Sequence, residues 1–401
     1  MTGRSFDAVV VGAGPAGSVA ALVLAQAGAR VALVDKAAFP RDKACGDLVG
    51  PRGVQVLADL GLTVPDAGQG SDLLAVGPSG RASRRPAFPG RSYPGHGVVA
   101  PRAGFDHALR EAAIAAGAHP VRARIAAVEA GPAGSLRAVV ASDGQRLAAG
   151  AVIGADGALS PVARLAGMLR PETALWGFAI RAYLPAQVPL PLLVLLDAAP
   201  WRIYPGYGWL FPGEDGQANV GIGVGLGSTR RSVPLRDDLA RFCGLPARAG
   251  HRDEYRPAGL INPLQGEGIG PAMVSARLAA QAVLDCPADP GPGYTHALAA
   301  AFGSYLPGAS ALQSLLLRRP RVASAGVRLI TAPGVRRLVA GTWSLYWNGL
   351  VDGAEPRPAV WTAALVQRAA GLAAGRGAGR PAPADARSPG PQSGSELTLR
   401  Y

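Results

Sequence analysis

The chain has 401 residues, 49% hydrophobic and 17% charged, enough apolar material for a large core and too much for a disordered chain. At about 150 residues per unit it should hold roughly two to three structural units. The formal charge is +13, nearly all of it arginine, since Lys36 and Lys43 are the only lysines. No basic run interleaves with aromatic residues, which argues against nucleic acid and favours an anionic membrane surface or an anionic substrate. Cys45, Cys243 and Cys286 are too few and too scattered for a disulfide framework. No Cys/His spacing suggests zinc, so no metal site is expected. No apolar run reaches the roughly 18–20 residues of a spanning helix. The N-terminus lacks the basic head and cleavage site of a signal peptide, so the chain reads as cytoplasmic and reduced.

In chain order, Phe6 to Val11 is an apolar, β-branched run that predicts a buried strand. It ends at Gly12-Ala13-Gly14-Pro15-Ala16-Gly17, and an Ala-rich apolar helix follows to Ala27, with Gly28 as its stop. Val31 to Val34 is a second buried strand, closed by Asp35. Residues 77–99 read as irregular structure with short strands. A helix is expected from Gly104 to Gly117, and a hairpin around Ser142-Asp143-Gly144. A short buried strand from Ala151 to Ile153 runs into Gly154-Ala155-Asp156-Gly157. From Trp176 to Val224, strands separated by Pro and Gly turns predict a second, mostly antiparallel layer. Leu260 to Leu284 reads as a glycine-rich turn and then a helix. Residues 305–370 look helical, and from Gly371 onward the composition predicts a disordered tail.

The first motif is G-x-G-x-x-G between a strand and a helix. Gly12 permits the tight turn, Gly14 lets backbone approach a pyrophosphate, and Gly17 lets helix pack on strand. The start of the helix after Gly14 turns free N–H groups toward phosphate oxygens. Asp35, at the end of the second strand, is placed to accept hydrogen bonds from an adenosine ribose. A dinucleotide is therefore the expected ligand.

Four further segments are Phe39-Pro40-Arg41-Asp42-Lys43-Ala44-Cys45-Gly46-Asp47, Pro101-Arg102-Ala103-Gly104-Phe105-Asp106, Gly154 to Arg164, and Gly259-Leu260-Ile261-Asn262-Pro263-Leu264-Gln265-Gly266-Glu267-Gly268-Ile269. In this order they resemble the geranylgeranyl reductase family of FAD-dependent oxidoreductases, within the aromatic-hydroxylase-like flavoprotein superfamily. The resemblance covers about residues 5–305. It implies an α/β fold: a Rossmann-like FAD-binding domain (1–75, 100–170, 255–305), an antiparallel-sheet substrate domain (76–99, 171–254) and a C-terminal helical region (306–370) before the tail (371–401).

By the same resemblance, Gly12, Gly14, Pro15, Ala16, Gly17, Asp35, Lys36, Arg41, Cys45, Gly46, Arg102, Asp156, Gly157, Pro263, Gly266, Gly268 and Ile269 would bind FAD. The last segment would present helix N–H groups to the pyrimidine edge of the flavin, where they favour negative charge. Cys45-Gly46-Asp47 and Tyr207-Gly208-Trp209-Leu210-Phe211-Pro212 with Asn219-Val220-Gly221 pull the reading toward the reductases. Cys45, Asp47, Tyr207 and Trp209 are the candidate catalytic residues. Tyr207, Trp209 and Phe211 alternate and so share one face of a strand; an ordinary aromatic core face explains that pattern equally well. Asp47 is either a proton source or a turn former.

One departure stands out. The family carries Gly-Asp-Ala-Ala-Gly where this chain has Tyr255-Arg256-Pro257-Ala258-Gly259, so the carboxylate that would hold the ribityl chain is missing. The polar residues Gly250 to Arg256 do not read as a core strand, and a strand is expected to be lost there. The leading function is reduction of carbon–carbon double bonds in an isoprenoid or other apolar small molecule, with NAD(P)H or another electron donor. An FAD monooxygenase acting on a secondary metabolite is the second reading, and a non-catalytic remnant the third. Arginines beside Trp343, Tyr346 and Trp347 in the stretch Ala309 to Val351 describe either an interfacial membrane helix or a helical cap on the core.

Overall fold

The computed structural model describes residues 5–63, 68–70, 72–77, 80, 82–85, 94–131, 135–169, 176–195, 206–213, 216–226, 235–243, 252–257, 266–302, 309–310, 313, 319–330, 361, 365 and 368. The elements in chain order begin with β1 (Ser5–Val11), α1 (Pro15–Gln26), β2 (Val31–Asp35), β3 (Leu48–Val49), α2 (Pro51–Asp59), β4 (Gly68–Gly70), β5 (Leu73–Val76), β6 (Ala82–Arg85) and β7 (Gly97–Val99). Next come α3 (Arg102–Ala115), β8 (His119–Arg122), β9 (Ile125–Ala130), β10 (Leu136–Ala141), β11 (Arg146–Gly154) and α4 (Pro161–Leu165). They are followed by β12 (Trp176–Pro185), β13 (Leu192–Leu195), β14 (Gly206–Pro212), β15 (Gln217–Leu226), α5 (Leu235–Cys243), β16 (Arg252–Pro257), α6 (Ile269–Asp285), α7 (Pro290–Phe302) and α8 (Pro320–Ile330).

A strand that is apolar on both faces needs cover on both sides, and β1 has it. It lies between β2 and β11 in parallel, inside the six-stranded sheet β8-β2-β1-β11-β10-β9. One face packs on α1, α3 and α6 through Val10, Leu22, Leu24, Leu33, Phe105 and Met273. The other face carries Val9, Val11 and Val34 against Val139, Leu147 and Val162. Helix α1 is apolar all round because it is enclosed between its sheet and the helices α3 and α6. The expected hairpin joins β10 to β11, with Gly144 at φ +87°.

A seven-stranded sheet, β16-β12-β15-β14-β13-β5-β6, forms the second layer. Its strands alternate sides. Ile180, Ala182, Ile222 and Val224 meet α5 through Leu239 and Phe242. The opposite face carries Arg181 and Tyr183 on β12, Asn219 and Gly221 on β15, and Tyr207, Trp209 and Phe211 on β14. Register aligns Tyr183 with Asn219, and Asn219 with Phe211, in one row across three strands. A three-stranded sheet, β3-β7-β4, completes the fold.

Two expectations need correction. The polar stretch 250–256 does not mark a lost strand, because Arg252–Pro257 pairs antiparallel with β12. It is an edge strand, where one side needs no partner and charged residues are ordinary. The third helix starts at Arg102 rather than Gly104, since Pro101 already takes the cap position. Pro263 and most of 305–401 lie outside the described residues, and within that stretch Pro320–Ile330 is helical as expected. Among the described residues no helix is long and apolar enough to cross a membrane.

Candidate cofactor and substrate site

The site starts at the turn after β1. Gly12 has φ +101°, and a Cβ there would lie 2.3 Å from the carbonyl oxygen of Ala155. The fingerprint turn therefore touches the Asp156-Gly157 turn directly. A Cβ on Gly17 would sit 1.6 Å from the Gly12 carbonyl oxygen, so the start of α1 closes onto its own turn. Gly14 differs. A Cβ there would meet only the tip of Arg41 at 3.5 Å and Asp106 at 3.9 Å, ordinary contact distances. Among the described residues nothing requires glycine at 14, and the open backbone there suits the approach of a phosphate. Buried Pro15 opens α1, half-buried Ala16 follows it, and no side chain caps the helix.

Asp35 braces the turn. Its Oδ2 accepts from the Ala13 N–H at 2.8 Å and its Oδ1 from the Ala37 N–H at 2.8 Å. Each oxygen keeps a second lone pair for a ribose hydroxyl. Lys36 is exposed just beyond β2. Asp156 caps α4, accepting from the Val162 N–H at 2.9 Å and from the Ser160 hydroxyl. The Lys43 ammonium lies 3.4 Å from where a Gly157 Cβ would be.

Beside Gly14 sits a buried charge cluster. Arg102 is 4% exposed and grips Asp106 with two hydrogen bonds of 2.7 Å. Arg41 approaches the same carboxylate at 3.0 Å and stacks on the Phe39 ring. Burial works against the Arg102 cation, yet Asp106, and to a lesser degree Cys45, hold its pKa above the ordinary value. Two guanidiniums share one carboxylate, leaving a surplus positive charge at the fingerprint turn.

The segment after Arg41 crosses to the second sheet. Asp42 pairs with buried Arg181. The Cys45 carbonyl accepts from Asn219 Nδ2 at 2.8 Å. Half-buried Gly46 packs on Phe211, where a Cβ would be 3.1 Å from the ring, and on the indole nitrogen of Trp209. Asp47 is wholly buried, with φ 60°, and its Oδ2 accepts from Asn219 Nδ2 at 2.7 Å and from the Tyr183 hydroxyl. Desolvation raises the Asp47 pKa, with Tyr183, Asn219, Arg181 and Arg102 opposing. Trp209 is core, its indole N–H donating to Asn219 Oδ1 at 2.9 Å. The Tyr207 hydroxyl lies against Gly266, which has φ +73°. Gly268 caps α6, Ile269 is buried at its first turn, and Glu267 accepts from the Gly270 N–H at 2.7 Å.

Comparison with known proteins fits this geometry. The profile of an FAD binding domain matches residues 5–181. The chain is 35% identical to a menaquinone reductase of Mycolicibacterium smegmatis, over 69% of this chain and 75% of that one. It is 31% identical to a geranylgeranyl diphosphate reductase of Rhodobacter capsulatus, over 70% and 75%. The chain belongs to the geranylgeranyl reductase family of FAD-dependent oxidoreductases. Its fold is also similar to the crystal structure of a geranylgeranyl bacteriochlorophyll reductase-like protein from Thermoplasma acidophilum, at TM-score 0.63 and 19% identity, covering 90% of this chain and 96% of that one.

In this reductase-family chain the residues present suit FAD. The open backbone at Gly14, the uncapped start of α1 and the surplus arginine charge fit a diphosphate. In the sequence Asn219 belongs to a motif that the family resemblance puts on the substrate side and Asp106 to one with no role of its own, while Arg181 and Tyr183 fall in no motif. The four-residue spacing of Arg102 and Asp106 was the one local signal. Tyr183 and Asn219 meet only through strand register, which no local pattern announces.

Proposed function

We propose that this protein holds FAD between the fingerprint turn and the start of α6, and reduces carbon–carbon double bonds of a polyprenyl chain laid against the face of the seven-stranded sheet that carries Tyr207, Trp209 and Phe211. The observation that carries this is the segment Arg41–Asp47. It contacts the fingerprint turn through Arg41 and the aromatic strand through Gly46, so cofactor and substrate surfaces meet across seven residues. The relatives named above are named for menaquinone and for geranylgeranyl diphosphate, and the group common to those molecules is an isoprenoid chain.

Reduced FAD, when bound, supplies the hydride equivalent. Arg41 and Arg102, set by Asp106, would hold the diphosphate and the flavin side. Asp35 would take the adenosine ribose, and Gly12, Gly17, Asp156 and Gly157 shape the turn. Cys45, Asp47, Tyr207 and the buried Trp209 would form the wall between flavin and substrate, and the aromatic strand would exclude water. With a single fingerprint in the sequence, the donor, NAD(P)H or a protein carrier, visits transiently. On α8, Leu329 is 59% exposed beside exposed Arg321 and Arg328, which supports contact with an anionic membrane where such substrates reside.

The test is direct. The purified protein should show flavin absorbance after FAD addition. Under anaerobic reduction it should convert geranylgeranyl diphosphate or menaquinone to products heavier by one hydrogen molecule per double bond. An oxygenated product with unchanged double bonds would overturn the reading.

A further inference from the structure

Asp47 is paired with Tyr183, a residue that the family reading does not use. Asp47 has no exposed surface and adopts a left-handed backbone that, outside glycine, Asp and Asn tolerate best. Its Oδ2 takes two donors, Tyr183 and Asn219, while Oδ1 has no partner among the described residues. The nearby cations are committed elsewhere. Arg181 is paired with Asp42 and stacks over the Tyr183 ring at 4.2 Å, and Arg102 is paired with Asp106. Burial raises the Asp47 pKa against the pull of those two cations and of the Tyr183 and Asn219 bonds, which favours the protonated carboxyl. Burial and Asp47 likewise push the Tyr183 hydroxyl above its ordinary pKa, so it too keeps its proton.

When Asp47 is protonated, its carboxyl can donate to the Tyr183 oxygen in place of the bond that Tyr183 donates to Oδ2, and the phenol proton is then available to leave. Tyr183 is half-buried and stands in the same cross-strand row as Asn219 and Phe211, on the sheet face that carries the aromatic side chains. We propose that Tyr183 is the general acid of the double-bond reduction and that Asp47, positioned by Asn219, is the proton reserve behind it. This rests on the double-bond reading above. Bound reduced FAD would supply hydride to one carbon of the double bond as the π bond breaks. The Tyr183 O–H bond breaks, and its proton forms a C–H bond at the other carbon. The phenolate then takes the proton of Asp47, and the carboxylate that remains keeps its bonds from Asn219 and Tyr183 until water reprotonates it.

The test uses full-length FAD-loaded protein with Y183F and D47N. Asn suits the left-handed backbone at 47, and its amide oxygen can keep both bonds, so D47N should fold. Both variants should bind FAD and be reduced by dithionite as wild type is. Reoxidation of the reduced flavin by geranylgeranyl diphosphate or menaquinone, followed anaerobically, should slow about 100-fold in Y183F, the low end for loss of a general acid. D47N should retain part of the rate but lose the wild-type fall in rate as pH rises through the raised Asp47 value. Infrared spectra at neutral pH should show a protonated-carboxyl band in wild type that is absent in D47N. Y183F reoxidised at the wild-type rate, or wild type without that band, overturns the proposal alone. Wild-type protein that binds FAD yet reduces no such substrate overturns the function on which it rests.

Discussion

Replacing Asp106 by alanine should destabilise the buried charge cluster around Arg102. The carboxylate has no exposed surface, takes two bonds of 2.7 Å from Arg102 and lies 3.0 Å from Arg41. Arg102, at 4% exposure, cannot turn to water. Removing one side of such a buried pair costs about 3–5 kcal/mol, because the other charge is stranded. With a urea m-value of about 3 kcal/mol/M, the upper end for ordinary domains, the unfolding midpoint of cofactor-free protein should fall by about 1–2 M. Tryptophan fluorescence during a urea titration reads this directly. A double variant, R102M/D106L, removes the fully buried pair and leaves only the partly exposed Arg41 without its partner, so it should recover part of the loss. A D106A midpoint within about 0.2 M of wild type, or a double variant weaker than the single one, would refute the claim that Asp106 is there to neutralise buried arginine.

Other perturbations test the remaining contacts. Gly17→Ala places a methyl against the Gly12 carbonyl and should weaken FAD binding at least about tenfold, read by flavin fluorescence titration; stoichiometric retention of FAD would contradict the close approach. Asn219→Ala strips partners from the Trp209 indole, the Cys45 carbonyl and Asp47, at about 1–3 kcal/mol for each group left unpaired, measurable by chemical denaturation. Asp47 has a native pKa above its unfolded value of 3.8, so its contribution to stability is full below that value and is lost as pH rises through the native one. The stability of wild type minus that of D47N should therefore decline from acid toward neutral pH, and parallel curves would show that burial does not shift this group.

The cofactor half was legible because its signals are local. Gly12, Gly14 and Gly17 are read within six residues, and β1, α1 and β2 follow from apolar runs that both faces of a parallel sheet require. The aromatic alternation at Tyr207, Trp209 and Phe211 correctly placed them on one face. What lies opposite that face depends on the pairing of β12, β15 and β14, separated by up to some thirty residues, so the Tyr183–Asn219–Asp47 contact had no sequence signature. The edge strand at Arg252–Pro257 was misread for a related reason. Polar composition argues against a central strand but says little about an edge, where backbone pairing on one side suffices.

The short crossing from Arg41 to Asp47 has a practical consequence. Because one backbone stretch leans on the nucleotide turn at one end and on the aromatic strand at the other, neither grip can be tuned alone. Evolution or engineering that reshapes the aromatic strand will shift the nucleotide turn with it, so, on the proposed function, changes in substrate range should travel with changes in flavin retention.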